Sequence, residues 1–436
     1  MSRSTSAPPD AVADPAGRPV RDLDRLRRPK RRLDITAQAS IRSRHGAPAG
    51  WDAVVVGARV AGASTALLLA RAGLRVLVVD RARRGSDTLS THALMRGGVL
   101  QLRRWGVLDR VLATGAPAVR RVTFHYGTES LPVSLKPYAG VDALYAPRRT
   151  VLDAVLVDAA EDAGARFRFG LAVTDLARDG AGRVVGVVLR DHGGATWTER
   201  ARLVVGADGR SSVVAARVVA PTIAAGAHAA AYAYGYWPAA DLDGYHWHYG
   251  DALSAGAIPT NDGLACVFVG GAPAVLAAAM RPGRLAAAQR GLLSRLDGGL
   301  ADLAAAPPDG PVRFFRGMPA RLRRPHGPGW ALVGDAGWWK DPLSTHGITD
   351  ALRDAELLAS AVVAGAASER AAGIALAGYQ AQRDRMALPM HPIVDRLASH
   401  EWDLAEARRL LRGLSSVMAD EVEAIRGFDP APVRTA

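Results

Sequence analysis

A glycine-containing turn between a buried strand and a helix constrains the fold of this chain more than any other feature. Residues 52–57 read Asp-Ala-Val-Val-Val-Gly, which predicts a short buried strand, and residues 60–72 predict a helix that Gly73 closes. Residues 74–80 form a second predicted strand. This order is typical of a βαβ unit with a parallel sheet, so we expect an α/β fold.

The turn itself reads Gly57-Ala58-Arg59-Val60-Ala61-Gly62 and fits a dinucleotide-binding loop. Its first and last glycines allow a tight turn and a close helix–sheet contact, and the helix N-terminus offers free N–H groups to a pyrophosphate. Asp80 ends the second strand 23 residues after Gly57, near the spacing of about 20 for a ribose-binding acid. Arg59 replaces the middle glycine, and we expect its guanidinium to meet the phosphates. An ordinary strand–helix turn is the alternative for this motif alone.

Two further motifs follow predicted strands. Gly206-Ala207-Asp208-Gly209 comes after strand 196–206, and Gly334-Asp335-Ala336-Gly337 comes after strand 330–333. In this order the three motifs resemble those of the flavoprotein monooxygenase superfamily, of the aromatic-hydroxylase type with glutathione-reductase-like FAD binding. The resemblance runs from about residue 51 to 365. The first loop is also similar to that of geranylgeranyl-reductase-type oxidoreductases.

The resemblance implies roles for single residues. It places Asp208 and Gly209 near the FAD pyrophosphate, and it implies that Asp335 accepts a hydrogen bond from a ribityl hydroxyl. It also implies that Pro342 lies along the isoalloxazine and that Arg149 faces the phosphates. The expected cofactor-binding residues are Gly57, Arg59, Ala61, Gly62, Asp80, Arg149, Asp208, Gly209, Gly334, Asp335, Pro342, Gly347 and Ile348. FAD is expected to bind non-covalently, with NAD(P)H as a transient electron donor.

The chain departs from the family pattern in two places. Ala215 stands where the family often has arginine after the Asp-Gly motif, and the loop 342–347 lacks one customary glycine. Ser344 and Thr345 are the expected N-caps of a long helix that begins near Gly347. The positive end of that helix dipole would favour reduced flavin.

The remaining chain predicts a Rossmann-like FAD-binding domain with an inserted α+β substrate domain, which contains a mixed sheet, and C-terminal helices. An Ala-rich helix is expected near 283–305, and separate helices are expected at 369–386 and 390–425. The predicted segments are a disordered basic tail (1–49), FAD-binding parts at 50–117, 146–218 and 320–365, a substrate-domain hairpin at 118–145, the substrate domain at 219–319 and a C-terminal helical region at 366–436.

Aromatic side chains concentrate within residues 232–249. Because alternate residues of a strand share a face, two aromatic faces are expected there. They could cover a substrate pocket above the flavin, or they could form a plain aromatic core between sheet and helices. The pocket candidates are Tyr232, Tyr234, Tyr236, Tyr245, Trp247 and Tyr249.

Catalytic side chains are not specified by the sequence, because the flavin carries the chemistry. Lys340, Pro342 and His346 are candidates because they lie in the segment 338–347 before the long helix, the flavin loop. Lys340 could stabilise an anion of the flavin or substrate, or pair with a carboxylate such as Asp341. His246 and the histidine two residues later share a strand face, but no third ligand or acidic partner is evident nearby, so no metal site is expected.

Composition restricts the partners. Cys266 is the single cysteine, which excludes a disulfide framework and indicates a buried strand residue. The net charge is +13, but nearly all the basic residues are arginine, a bias typical of genome composition, so no nucleic-acid partner is expected. No apolar run approaches the roughly 20 residues of a membrane span, and a cytoplasmic location is expected.

The leading hypothesis is an FAD-dependent monooxygenase that uses NAD(P)H and O₂. As the resemblance implies, it would oxygenate a small aromatic or largely apolar substrate through a flavin C4a-hydroperoxide. Gly270-Gly271 lacks the spacing and acidic partner of a second dinucleotide site, which disfavours reductases with two dinucleotide domains. The alternatives are an FAD-dependent dehydrogenase or reductase acting on C=C bonds, and a non-catalytic flavin-binding protein.

Overall fold

The computed structural model describes residues 50–239, 241–296 and 299–429, so the tail predicted at 1–49 lies outside the described residues. The strands are β1 (Trp51–Val56), β2 (Val76–Asp80), β3 (Arg121–Tyr126), β4 (Glu129–Ser134), β5 (Arg166–Phe169), β6 (Ala172–Arg178), β7 (Val184–Arg190), β8 (Thr196–Gly206), β9 (Thr222–Ala225), β10 (Ala231–Pro238), β11 (Tyr245–Gly250), β12 (Leu253–Pro259), β13 (Leu264–Gly271), β14 (Arg313–Phe315), β15 (Arg321–Arg323), β16 (His326–Gly327), β17 (Trp330–Leu332) and β18 (Trp338–Trp339).

The helices are α1 (Val60–Arg71), α2 (Arg96–Arg104), α3 (Leu108–Leu112), α4 (Arg149–Asp162), α5 (Val213–Arg217), α6 (Pro273–Ala279), α7 (Leu285–Leu293), α8 (Leu300–Leu303), α9 (Gly347–Ala364), α10 (Glu369–Ala398) and α11 (Leu404–Arg426). Short 3₁₀ turns lie at Asn261–Gly263, Gly334–Ala336 and Pro342–Ser344. No helix in these ranges is both long and apolar enough to cross a bilayer.

The first sheet carries the predicted βαβ unit. Its main path runs β16-β17-β8-β1-β2-β5, and β1 pairs in parallel with both β2 and β8. The valine-rich strands β1 and β2 are buried on both faces, as central parallel strands require. Helix α1 packs against α4 and α9 on one face, and β6 and β7 extend antiparallel from β8. The predicted α/β class with a Rossmann-like unit is confirmed.

The second sheet has seven strands in the order β14-β10-β13-β12-β11-β3-β4. The hairpin predicted within residues 118–145 is present as β3 and β4, and β3 pairs in parallel with β11. One face of this sheet packs its aromatic side chains against apolar residues of α10 and α11. The other face packs against the segment of α6, α7 and α8.

Two helix predictions in the C-terminal half are wrong. Helix α10 continues through Pro389 and Pro392, where a break was expected. A proline inside a helix costs about 3 kcal/mol, and Met386, Met390 and Val394 offset that cost by packing their side chains into the core on both sides. The Ala-rich segment near 283–305 forms two helices, α7 and α8, rather than one.

Candidate active site

A cavity of about 510 Å³ extends from the first βα turn to the loop before α9. It brings together residues from all three sequence motifs. Among the predicted cofactor residues, the cavity lining includes Gly57, Arg59, Ala61, Asp80, Arg149, Asp208, Gly209, Asp335, Pro342, Gly347 and Ile348. The other two, Gly62 and Gly334, are buried behind this lining, where they set the backbone path.

The first turn requires its glycines. Gly57 has a φ of 104°, and a Cβ there would lie 2.4 Å from the carbonyl oxygen of Ala207. A Cβ on Gly62 would lie 1.8 Å from the carbonyl oxygen of Gly57. The residue before α1, Arg59, makes no side-chain cap, so the first N–H groups of α1 are left for an anion.

Asp80 holds the turn to the end of β2. One carboxylate oxygen accepts from the N–H of Ala58 at 2.8 Å, and the other accepts from the N–H of Ala82 at 2.7 Å. Each carboxylate oxygen has a second lone pair. Asp80 can therefore bind a ribose hydroxyl while it keeps both backbone contacts.

Two guanidinium groups line the same part of the cavity. Arg59 donates through Nη2 to the carbonyl oxygen of Asp87, but its buried Nη1 has no hydrogen-bond partner among the described residues. Arg149 pairs with Asp153 at 3.0 Å. Burial, with Arg149 as the next cause, lowers the pKa of Arg59. An anion between Arg59 and Arg149 would offset the repulsion between their positive charges, and it would accept a hydrogen bond from the Nη1 of Arg59. A pyrophosphate therefore fits the site.

The Asp-Gly motif shapes the opposite wall of the cavity. Asp208 accepts from Ser212 Oγ at 2.5 Å and from the N–H of Val213 at 2.6 Å, so its carboxylate fixes the start of α5. Burial raises the pKa of Asp208. Gly209 has a φ of 77°, which turns the backbone along the cavity. The Asp208 carboxylate therefore stabilises the loop that follows it. The sequence motif did not predict this contact.

The flavin loop differs from its prediction at the helix start. Residues Pro342–Ser344 form a 3₁₀ turn, and Ser344 Oγ donates to the carbonyl oxygen of Asp341. Neither Ser344 nor Thr345 caps α9; His346 occupies the cap position and makes no side-chain cap. The N-cap prediction is therefore wrong, because the 3₁₀ turn takes up the hydroxyl. The uncapped start of α9 borders the cavity at Gly347.

Asp335 lies in the same cavity as the start of α9. Burial raises the pKa of this carboxyl, while the cations of Lys340 and Arg149 act in the opposite direction. The Asp335 side chain lines the cavity, as a ribityl-binding carboxylate would.

A buried charge network lies directly behind the flavin loop. Lys340 forms an ion pair with Asp350. Lys340 thus pairs with a carboxylate, as one of the two predicted alternatives stated, but the partner is Asp350 rather than Asp341. Arg353 contacts Asp350 at 2.7 Å and Glu421 of α11 at 2.6 Å. Glu421 also makes a short contact with His346. Burial and then Arg353 lower the pKa of Lys340 to about 7, while Glu421 acts in the opposite direction.

Sequence patterns did not reveal this network because its members come from distant segments. Glu421 lies 75 residues after His346. The one local signal is the run of charged residues at 350, 353, 354 and 356 in a helix that is otherwise apolar. Charged side chains are rarely buried without partners, so such a run predicts ion pairs from another segment.

The six aromatic pocket candidates divide between cavity and core. Tyr232 and Tyr234 line the cavity beside Phe315 and Trp339, which the sequence analysis did not select. Tyr236 contacts His92, which itself lines the cavity. The remaining three candidates, Tyr245, Trp247 and Tyr249, are buried in the aromatic cluster and do not line the cavity.

Tyr232 and Asp341 form a buried acid–phenol pair beside the flavin loop. The Tyr232 hydroxyl donates to Asp341 in a short contact, and the N–H groups of Ala230 and Leu343 donate to the same carboxylate at 3.0 Å. Burial raises the pKa of Asp341 to about 6, although these hydrogen bonds lower it. Because Asp341 lines the cavity, it can hold and release a proton there near pH 6.

This shift predicts a pH-dependent stability. The folded-state pKa of Asp341 is about 6 and its ordinary value is 3.8, so the carboxyl stabilises the fold most below pH 4. That contribution, about 3 kcal/mol, should be lost as pH rises through 6. Urea unfolding of wild type and Asp341→Asn at several pH values measures it. Parallel stability curves for the two proteins would contradict the assignment.

Comparison with known proteins agrees with this geometry. Residues 51–248 match the model of an FAD binding domain. The chain is 37% identical over 172 residues to YdiS of Escherichia coli K12, a probable electron transfer flavoprotein-quinone oxidoreductase, and the match covers 38% of each protein. It is 29% identical over 343 residues to the menaquinone reductase of Mycolicibacterium smegmatis, with 73% of this chain and 78% of that protein covered.

A solved structure shows the same fold. PqsL of Pseudomonas aeruginosa, a probable FAD-dependent monooxygenase, matches with a TM-score of 0.70 at 21% identity. The match covers 83% of this chain and all of that one. Together with the FAD binding domain and the three-motif cavity, this likeness supports FAD as the cofactor.

Proposed function

We propose that this chain, whose residues 51–248 match an FAD binding domain and whose fold matches that of a probable FAD-dependent monooxygenase, is an FAD-dependent oxidoreductase that oxygenates a small aromatic or largely apolar substrate. NAD(P)H is the proposed electron donor, and O₂ is the second substrate. The supporting observation is the wall that Tyr232, Tyr234, Phe315 and Trp339 form near the flavin loop. Aromatic side chains suit an apolar substrate and exclude water from the reacting centre.

Different residues of the cavity bind different parts of FAD. Arg59, Arg149 and the start of α1 bind the pyrophosphate, while Asp80 binds a ribose hydroxyl. Asp335 binds the ribityl chain. When bound, FAD supplies hydride acceptance and oxygen activation. The aromatic wall orients the substrate beside it.

A reductase acting on a C=C bond or a quinone is the second candidate. The similarity to menaquinone reductase favours it, because that match extends over 73% of the chain. Reduction of a C=C bond adds a hydride to one carbon and a proton to the other. The Asp341–Tyr232 pair, with its raised carboxyl pKa, could supply that proton.

Oxygen dependence separates the two candidates. We expect NAD(P)H oxidation with a panel of phenolic substrates to consume one O₂ per NAD(P)H and to place one ¹⁸O atom in the product, while a quinone is assayed separately as the substrate of the reductase candidate. Without O₂, turnover should fall to background, because the reduced cofactor would have no acceptor. Sustained anaerobic turnover that yields a product with two added hydrogens would replace the oxygenase proposal with the reductase.

A further inference from the structure

A second cluster of titratable side chains lies outside the flavin cavity, on strands β3 and β11. His125, His246 and His248 each place one ring nitrogen so that all three atoms lie within 4.8 Å of one another. Parallel pairing sets His125 directly beside His248. The two-residue repeat of a strand puts His246 and His248 on the face opposite Tyr245, Trp247 and Tyr249.

The spacing of these nitrogens suits a metal ion. His125 Nε2 and His246 Nδ1 are 3.1 Å apart and share a hydrogen bond, whose proton a bound ion would replace. Two nitrogen ligands of a tetrahedral zinc ion, each about 2.1 Å from the metal, lie about 3.4 Å apart. Lengthening the contact between His125 and His246 by a few tenths of an ångström would bring their nitrogens to ligand spacing. The ring of His248 stacks on that of His125 with centroids 4.0 Å apart, so the His248 ring must turn for its nitrogen to join them.

Outer partners orient two of the three rings. His246 donates through Nε2 to Asp243 at 2.9 Å, which leaves the Nδ1 lone pair facing His125. Arg121 pairs with Asp243 at 2.9 Å and holds that carboxylate in place. On the other ring, His125 Nδ1 bonds to Ser130 Oγ at 2.8 Å, so Nε2 faces the cluster. A carboxylate or hydroxyl behind a histidine ligand is the usual support of a metal site.

The described residues hold one other group of side chains with the spacing of metal ligands. The second candidate group, His346 with Asp350 and Glu421, differs, because Lys340 and Arg353 already neutralise those carboxylates.

We propose that His125, His246 and His248 form a binding site for a divalent transition-metal ion of the zinc type. The third ligand and the acidic partner, which were not evident in the sequence, are His125 of the hairpin β3–β4 and Asp243. The His246 side chain is 20% exposed, so an ion and a water as fourth ligand can reach the site. The ion would tie β3 to β11, which joins the hairpin to the substrate sheet.

Metal titration of tag-free, FAD-loaded protein tests the proposal. After dialysis against a chelator, Zn²⁺ is titrated by calorimetry, and Co²⁺ is followed by its d–d bands beyond the flavin absorption. We expect one equivalent to bind. His125→Ala and His246→Ala should abolish saturable binding, and Asp243→Asn should weaken it about 10–100-fold, as expected for an outer partner.

The matched control is His192→Ala, since His192 is an exposed histidine elsewhere in the fold. It should bind metal like wild type. Flavin absorbance, measured on each variant, confirms that the fold is intact. Absence of saturable binding in wild type, or unchanged affinity in His246→Ala with normal flavin content, would overturn the proposal.

Discussion

Gly62→Ala is expected to lose FAD binding almost completely. The added Cβ would lie 1.8 Å from the carbonyl oxygen of Gly57, and that neighbour is backbone that cannot rotate away. The N–H of Gly57 donates to the carbonyl oxygen of Val79 at 2.8 Å, which holds this backbone to β2. Helix α1 would have to move from β1 and carry its N–H groups away from the pyrophosphate. Overpacking of this kind costs about 3 kcal/mol, or about a hundredfold in affinity.

Flavin-fluorescence titration of the apoprotein, with thermal unfolding alongside, measures this loss. Gly373→Ala is the matched control, because Gly373 lies in α10 and a Cβ there meets nothing within 4 Å. That variant should keep its FAD affinity and gain up to about 1 kcal/mol of stability. An affinity of Gly62→Ala close to that of wild type would show that the turn does not contact the phosphates.

Glu421→Gln is expected to destabilise the protein by about 3 kcal/mol, because it removes one charge from a buried network. Arg353 and His346 both contact this carboxylate. Although burial alone would raise it, these two partners hold the pKa of Glu421 at about 2, so the group is charged at neutral pH. His346 precedes α9, so the variant should also retain FAD less tightly.

Urea unfolding and FAD titration report both effects. Glu423→Gln on the same helix is the matched control, since the Glu423 side chain is 53% exposed and pairs with Arg426 at the surface. Its stability should change by less than about 0.5 kcal/mol. Equal losses of stability in Glu421→Gln and Glu423→Gln would contradict the prediction, because the buried charge at 421 would then stabilise the protein no more than the exposed charge at 423.

The sequence predicted the parts of the fold that depend on local spacing. The turn at 57–62, the acid at 80 and the two later motifs are short-range patterns, and the structure brings them to one cavity. The long helix α9 begins at Gly347 as predicted, but its N-cap was predicted wrongly because Ser344 bonds to Asp341 within an unexpected 3₁₀ turn. A hydroxyl near a helix start has several possible partners, and periodicity does not choose among them.

The features that the sequence did not predict depend on contacts between distant segments of the chain. His125 stands 121 residues before His246, and only the pairing of β3 with β11 makes them neighbours. Glu421 similarly reaches the flavin loop through the packing of α11. Strand order and helix docking are properties of the whole chain, so single-sequence patterns could not provide them.

The contact between Glu421 and the flavin loop also bears on how the protein is made. Ribosomes synthesise chains from the N-terminus, so the pyrophosphate-binding turn at 57–62 emerges early. The loop at 342–346 follows much later, and its partner on α11 emerges last of the three. A nascent chain could therefore bind the nucleotide half of FAD before the loop at the isoalloxazine end of the site contacts α11. Completion of the cofactor site becomes a late event, coupled to the docking of α11.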